Sequence, residues 1–123
     1  METVDAGEDV VSHACMLAYQ ASDKIPPEYH NRAPVDDAKF ANGTAPLDPL
    51  FADMKVHHTI LDATIYVYKA MWQVPNAQPA PYCHEELAAK ITAAAHRAGI
   101  PISTGTDADT DWDKPLPSTF DEI

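Results

Sequence analysis

Three short β-branched runs alternate along this chain with helix-like segments, and each run opens into a long polar loop. "VVS" lies within "DVVSHACML", "TILDATIYVY" follows the middle helix, and "IPIST" follows the last clear helix. The joints from helix to strand are short. Strands that alternate with helices imply parallel βα units, because a parallel return needs a crossover. In such folds the loops after the strands carry the chemistry. The predicted order is strand, loop, helix, strand, loop, helix, strand, loop and the start of a further helix. That is an α/β chain with its function gathered at one face.

Local signals support each element. Ala6-Gly7 reads as the end of a helix, with Gly7 free to adopt a left-handed cap. Val10 and Val11 suit a short buried strand. Residues 22–46 hold four of the eleven prolines and Asn42-Gly43, so they read as one irregular segment of the length that functional or disordered loops have. "LDPLFADMKVHH" sets Leu47, Leu50, Phe51 and Met54 at helical spacing, with Asp48 as N-cap and Pro49 at the first helical position. "TIYVY" reads as strand carried on from "TILDA". "HEELAAKITAAAHRAG" is the clearest helix, with Leu87, Ile91, Ala94 and Ala98 on one face and Gly99 as its stop. "STFDEI" reads as a helix start capped by Ser118.

Composition narrows the partners. The chain has 123 residues and a formal net charge of -11, from 19 acids against 8 bases. Nucleic acid is excluded as a partner, since phosphate binding needs clustered Lys and Arg. No membrane partner is expected either: no apolar run approaches the roughly 18 residues a span requires, and "METVDAGEDV" does not read as a signal peptide, having neither its basic nor its apolar region. Cys15 and Cys83 form no C-x-x-C motif and no dense framework, which makes a reduced, cytoplasmic chain the default. Much of the acid clusters at Asp107, Asp109, Asp111, Asp113, Asp121 and Glu122, which as composition alone is a solvated loop.

His13 stands at the predicted end of the first strand and Asp107 at the end of the third. An imidazole and a carboxylate converging at the C-terminal ends of parallel strands suit a divalent metal, since nitrogen and oxygen donors bind zinc. Spacing alone leaves the alternatives open: His13 is either a ligand or a hydrogen-bonded structural residue, and Asp107 either a ligand or a turn residue after Gly-Thr. His57-His58 point to opposite faces of any strand and read as surface residues at a helix end. His84 and His96 lie near the two ends of the Ala-rich helix, without partners at ligand spacing. Cys15 reads as a small buried side chain rather than a nucleophile.

The stretches "AGEDVVSHACML", "TILDATIYVY" and "AHRAGIPISTGTDAD" followed by "STFDEI" resemble the amidohydrolase superfamily, in its imidazolonepropionase-like and prolidase-like branch of metal-dependent hydrolases. The most specific piece is "GIPISTGTDA". The resemblance covers the chain apart from residues 22–46. It implies a partial (β/α)8 TIM barrel over residues 1–123, covering about the sixth to eighth βα units and truncated at both ends. It implies His13 as the sixth-strand metal ligand. Asp107 becomes the eighth-strand carboxylate that both binds the metal and takes the proton of the attacking water. The parent enzyme would hydrolyse a non-peptide or dipeptide-like C–N bond of a small molecule by metal-activated water. Zinc is the default cation, with iron, manganese and nickel as alternatives. Residues 14–45 and 68–82 would face the substrate.

The family's first-strand His-x-His pair, its fourth-strand bridging residue and its fifth-strand His have no counterpart in this sequence. A barrel of this kind takes about 250 residues. Two ligands fall short of the three protein ligands a catalytic zinc takes, so the chain alone is expected to be inactive. Its expected partner is a complementary N-terminal half, or further copies of itself. The competing expectation is a small non-catalytic α/β module that binds a cation or a protein through its acidic C-terminal loop.

Overall fold

The computed structural model describes residues 2–23, 33–76 and 82–107. The helix start expected at Ser118 and the acids beyond Asp107 lie outside the described residues, as do parts of the two proline-rich segments. The described residues are a mixed α/β arrangement. Helix α1 (Glu2–Asp5) leads to β1 (Val10–Ser12), α2 (Ala14–Leu17), α3 (Asp48–Val56), β2 (Ile60–Asp62), α4 (Ile65–Trp72), α5 (Glu85–Arg97) and β3 (Ile102–Ser103). Three 3₁₀ turns sit between α2 and α3.

The strands form one parallel sheet in the order β1-β2-β3. Val11 lies beside Leu61, and Leu61 beside Ile102. These three share the face turned to the helices: Leu61 is fully buried, and Val11 and Ile102 pack against the core. The opposite face carries Val10, Ser12, Ile60, Asp62 and Ser103, all half-buried or exposed. The sheet therefore has one covered face and one open face. Val10 is 46% exposed, which corrects the expectation of a buried first strand.

The helices follow their sequence signals closely. In α5 the buried stripe is Leu87, Ala88, Ile91, Ala94 and Ala95, one face at a period of 3.6. Glu85 and Glu86 occupy its first turn and His96 and Arg97 its last, each complementing the helix dipole. His84 caps it, its side chain accepting from the Leu87 amide at 3.3 Å. Gly99, at φ 89°, ends the segment in the left-handed region. Helix α3 buries Leu50, Phe51 and Met54. Its cap position is Leu47 rather than the expected Asp48, because a 3₁₀ turn over Ala45–Leu47 runs straight into the helix and carries Leu47 into the core.

Two expectations are overturned. "TIYVY" is not strand: β2 stops at Asp62, Thr64 turns left-handed (φ 50°), and Ile65–Trp72 is helical. Tertiary context overrides β-propensity here, since helical winding buries Tyr68 completely in the core. The expected reduced thiols are likewise replaced by a disulfide between Cys15 and Cys83, with Cα atoms 6.2 Å apart. Packing of α2 against α5 brings together two cysteines that are 68 positions apart in sequence. Among the described residues no helix is long and apolar enough to cross a membrane.

Candidate metal centre

Each strand delivers a polar residue to the same end of the sheet. The ladder continues beyond β1 and β2, with the His13 amide donating to the Asp62 carbonyl at 2.8 Å and the Ala14 amide to Ala63 at 3.1 Å. This fixes the His13 backbone on the end of β2. Asp107 reaches the same place from β3: its Oδ2 lies 3.6 Å from His13 Nε2. The two candidate ligands read from the sequence are thus brought together. His13 is mostly buried, its side chain 15% exposed, whereas Asp107 is 56% exposed.

The backbone is unusual at these positions. His13 (φ 75°), Thr64 (φ 50°) and Asp107 (φ 48°) all lie at positive φ, a region few non-glycine residues adopt and β-branched residues avoid. One such residue follows each of three neighbouring strands. Conformations of this kind cost about 1–3 kcal/mol each and gather at functional sites.

Around the pair, Thr64 Oγ1 lies 2.9 Å from His13 Nδ1, on the side of the ring away from Asp107. Ser12 Oγ donates to Asp62 Oδ2 at 3.2 Å, while Asp62 Oδ1 is a buried atom with no hydrogen-bond partner. Gly105 packs on this carboxylate so closely that an added Cβ would fall 2.9 Å from Asp62 Cγ. Behind Thr64, Tyr68 is buried, and burial followed by the neighbouring Tyr82 hydroxyl holds its pKa far above the ordinary phenol value. Tyr68 and Tyr82 are buried residues, so the spans expected to face substrate also contribute to the core.

The donor set fits a divalent cation in part. Two ligand atoms bound to zinc at a tetrahedral angle, at the usual bond lengths, stand about 3.4 Å apart. The His13–Asp107 separation of 3.6 Å needs little adjustment to reach that. Among the described residues no third His, Cys, Asp or Glu joins the pair within 4.8 Å.

A different cluster, Asp5, Asp53 and His57, does bring three ligand atoms within 4.8 Å of one another. It belongs to α1 and the end of α3, at the opposite end of the sheet. Asp53 Oδ1 and His57 form an i,i+4 pair at 3.7 Å at the end of α3, while Asp53 Oδ2 is a buried atom with no hydrogen-bond partner. His57 and His58 are exposed at the helix end, where the sequence suggested. A cleft of about 620 Å³ lies elsewhere, lined by Lys69, Trp72, Gln73, His84, Glu85 and Glu86.

Sequence reasoning missed Thr64, Asp62, Ser12 and Gly105. The signal for three of them was present: Ser12 and Asp62 are the polar residues that close their strands, and Thr64 follows at once. Compared with known proteins, the chain matches no family model, no curated protein and no solved structure.

Proposed function

We propose that the chain corresponds to about the sixth to eighth βα units of an amidohydrolase-type (β/α)8 barrel. In that reading the complete enzyme hydrolyses a C–N bond in an amide, cyclic amide or dipeptide-like small molecule. The observation that carries it is the meeting of His13 and Asp107 at 3.6 Å, at the C-terminal ends of parallel strands that neighbour one another in chain order. Support also comes from the open sheet face, which in a barrel would line the interior.

His13 Nε2 and Asp107 Oδ2 would hold a divalent cation, zinc by default. Such a cation supplies Lewis acidity and brings the pKa of a coordinated water toward neutrality. Asp107, more than half exposed, would be the group that takes up a proton, at a carboxylate oxygen. His13 is fixed to β2 through its backbone amide, and its ring Nδ1 lies 2.9 Å from Thr64 Oγ1. The remaining ligands come from strands supplied by a complementary half, so the chain by itself binds the cation weakly and turns over no substrate.

Calorimetric titration of the chain with Zn²⁺ tests this reading. Binding that is lost in both His13→Ala and Asp107→Asn supports it, and binding indifferent to both substitutions sinks it. A non-catalytic α/β module is the second reading. It is favoured by a hydrophobic core continuous from Val4 to Ile100 and clamped by the Cys15–Cys83 bond. A sharp monomer by light scattering with a cooperative melt favours the module, and polydispersity favours the barrel segment. Compartment turns on the cysteines: a cytoplasmic location requires the pair to be reduced in the cell, and the bond itself favours an oxidising compartment. Thiol trapping in cell extracts separates the two.

A further inference from the structure

Helix α1 is a single turn, too short to hold its shape by itself. Two features fix it in place. Val4 is buried in the core. The chain then leaves the helix through a double turn, in which the Gly7 amide donates to the Val4 carbonyl at 3.0 Å and the Glu8 amide to Thr3 at 3.3 Å, with Gly7 at φ 84°. This sets Asp5 beside the end of α3. There Asp53 and His57 project from one face at i,i+4, and one ligand atom from each of the three residues lies within 4.8 Å of the other two.

Three properties of this group point to a cation. Asp53 Oδ2 is a buried atom with no hydrogen-bond partner, so one carboxylate oxygen is shut away from water with no donor to offset its charge. Both acids stand in the last turns of their helices, where free carbonyls already make the potential negative and favour positive charge. Among the described residues no lysine or arginine pairs with either carboxylate; the contact made is Asp53 Oδ1 to His57 Nε2 at 3.7 Å.

The donor set selects the kind of cation. Magnesium and calcium take oxygen, whereas one imidazole nitrogen with two carboxylates suits zinc and its transition-metal neighbours. The 3.7 Å between Asp53 Oδ1 and His57 Nε2 is near the roughly 3.4 Å that two zinc ligands keep. Asp5 and His57 are exposed, so their side chains can turn to close the set. Three protein ligands leave a coordination position for water.

We propose that Asp5, Asp53 and His57 bind a divalent transition-metal cation, zinc by donor set, which ties α1 to α3. The site lies at the opposite end of the sheet from His13 and Asp107 and does not depend on that pair binding a cation.

The test is calorimetric titration with Zn²⁺ of the full chain carrying His13→Ala and Asp107→Asn, without reductant so that Cys15 and Cys83 stay bonded. One equivalent is expected to remain. It is lost in His57→Ala and in Asp53→Asn, and it survives in His58→Ala, which removes the adjoining exposed imidazole. In the wild-type chain His57→Ala and Asp53→Asn each remove one equivalent, which serves if the doubly substituted background fails to fold. Thermal melts separate a ligand from a scaffold residue. Without metal, Asp53→Asn melts no lower than its parent, because it removes the unpaired buried charge, and in excess Zn²⁺ only the parent shifts upward. A zinc equivalent unaffected by His57→Ala or by Asp53→Asn overturns the proposal. So does an Asp53→Asn melt that falls equally with and without zinc. A chain whose zinc binding vanishes entirely with His13 and Asp107 also overturns it, while leaving the reading of that pair intact.

Discussion

Replacing Gly105 by alanine puts a methyl group where Asp62 already stands. The new Cβ would fall 2.8 Å from Asp62 Oδ2 and 2.9 Å from Cγ, whereas Cβ contacts in proteins essentially never come under 3.0 Å. The nearest obstacles all belong to the Asp62 side chain, so the carboxylate, not the backbone, must yield. It is not free to do so without loss, because Oδ2 holds the Ser12 hydroxyl. Overpacking of this kind costs about 1–3 kcal/mol, and the broken hydrogen bond adds about 1 kcal/mol. We expect Gly105→Ala to destabilise the chain by about 2–4 kcal/mol, which lowers a urea midpoint by roughly 1–2 M at an m-value of about 2 kcal/mol/M. A double-mutant cycle isolates the cause. In an Asp62→Ala background the space is vacant, and Gly105→Ala should cost less than about 0.5 kcal/mol, a coupling of about 2 kcal/mol. Far-UV circular dichroism during urea unfolding of the four proteins reads both quantities. An equal cost in the two backgrounds would refute the close approach of Gly105 to Asp62.

Reduction of Cys15–Cys83, which spans 68 positions, should remove about 4 kcal/mol on chain-entropy grounds; urea midpoints with and without reductant measure it, and two free thiols in the native oxidised protein would contradict it. Tyr68 links stability to alkaline pH. Burial, then Tyr82, raises its folded pKa, so the contribution is whole below about pH 10 and is lost above it, as the unfolded phenol ionises first, by about 1.4 kcal/mol per pH unit. Tyr68→Phe should flatten that slope in unfolding curves taken across the alkaline range. His84→Ala should cost about 1 kcal/mol by uncapping α5, and His84→Ser should recover most of it without the 2.8 Å contact to Asp37; thermal melts that rank the two variants equally would show that the cap is idle.

Much of the arrangement was legible because its signals are local. The Ala-rich helix, its glycine stop and the apolar spacing of α3 depend on neighbours within a few residues, and the structure follows them. Both candidate ligands were named on the family resemblance, which set them just past strands whose order was readable; His13 follows β1 directly and Asp107 comes four residues after β3. What escaped notice depends on contacts across the fold. "TIYVY" has strand chemistry in every residue, but the core needed Tyr68, and a helix delivers it there. Cys15 and Cys83 look unrelated at their spacing and meet only because α2 packs on α5. Thr64 gives no hint of a left-handed backbone, since that conformation is imposed by its partners rather than favoured by its own side chain.

The disulfide also sets the topology of the molecule. It closes a ring of chain from Cys15 to Cys83, and His13 and Asp107 lie outside that ring, on the two arms that leave it. One peptide bond cut anywhere inside the ring leaves both arms on a single covalent body, and the pieces part only when the sulfur bridge is reduced. Loops within the ring can therefore lengthen, shorten or be nicked while the two arms stay tethered to each other through the bridge.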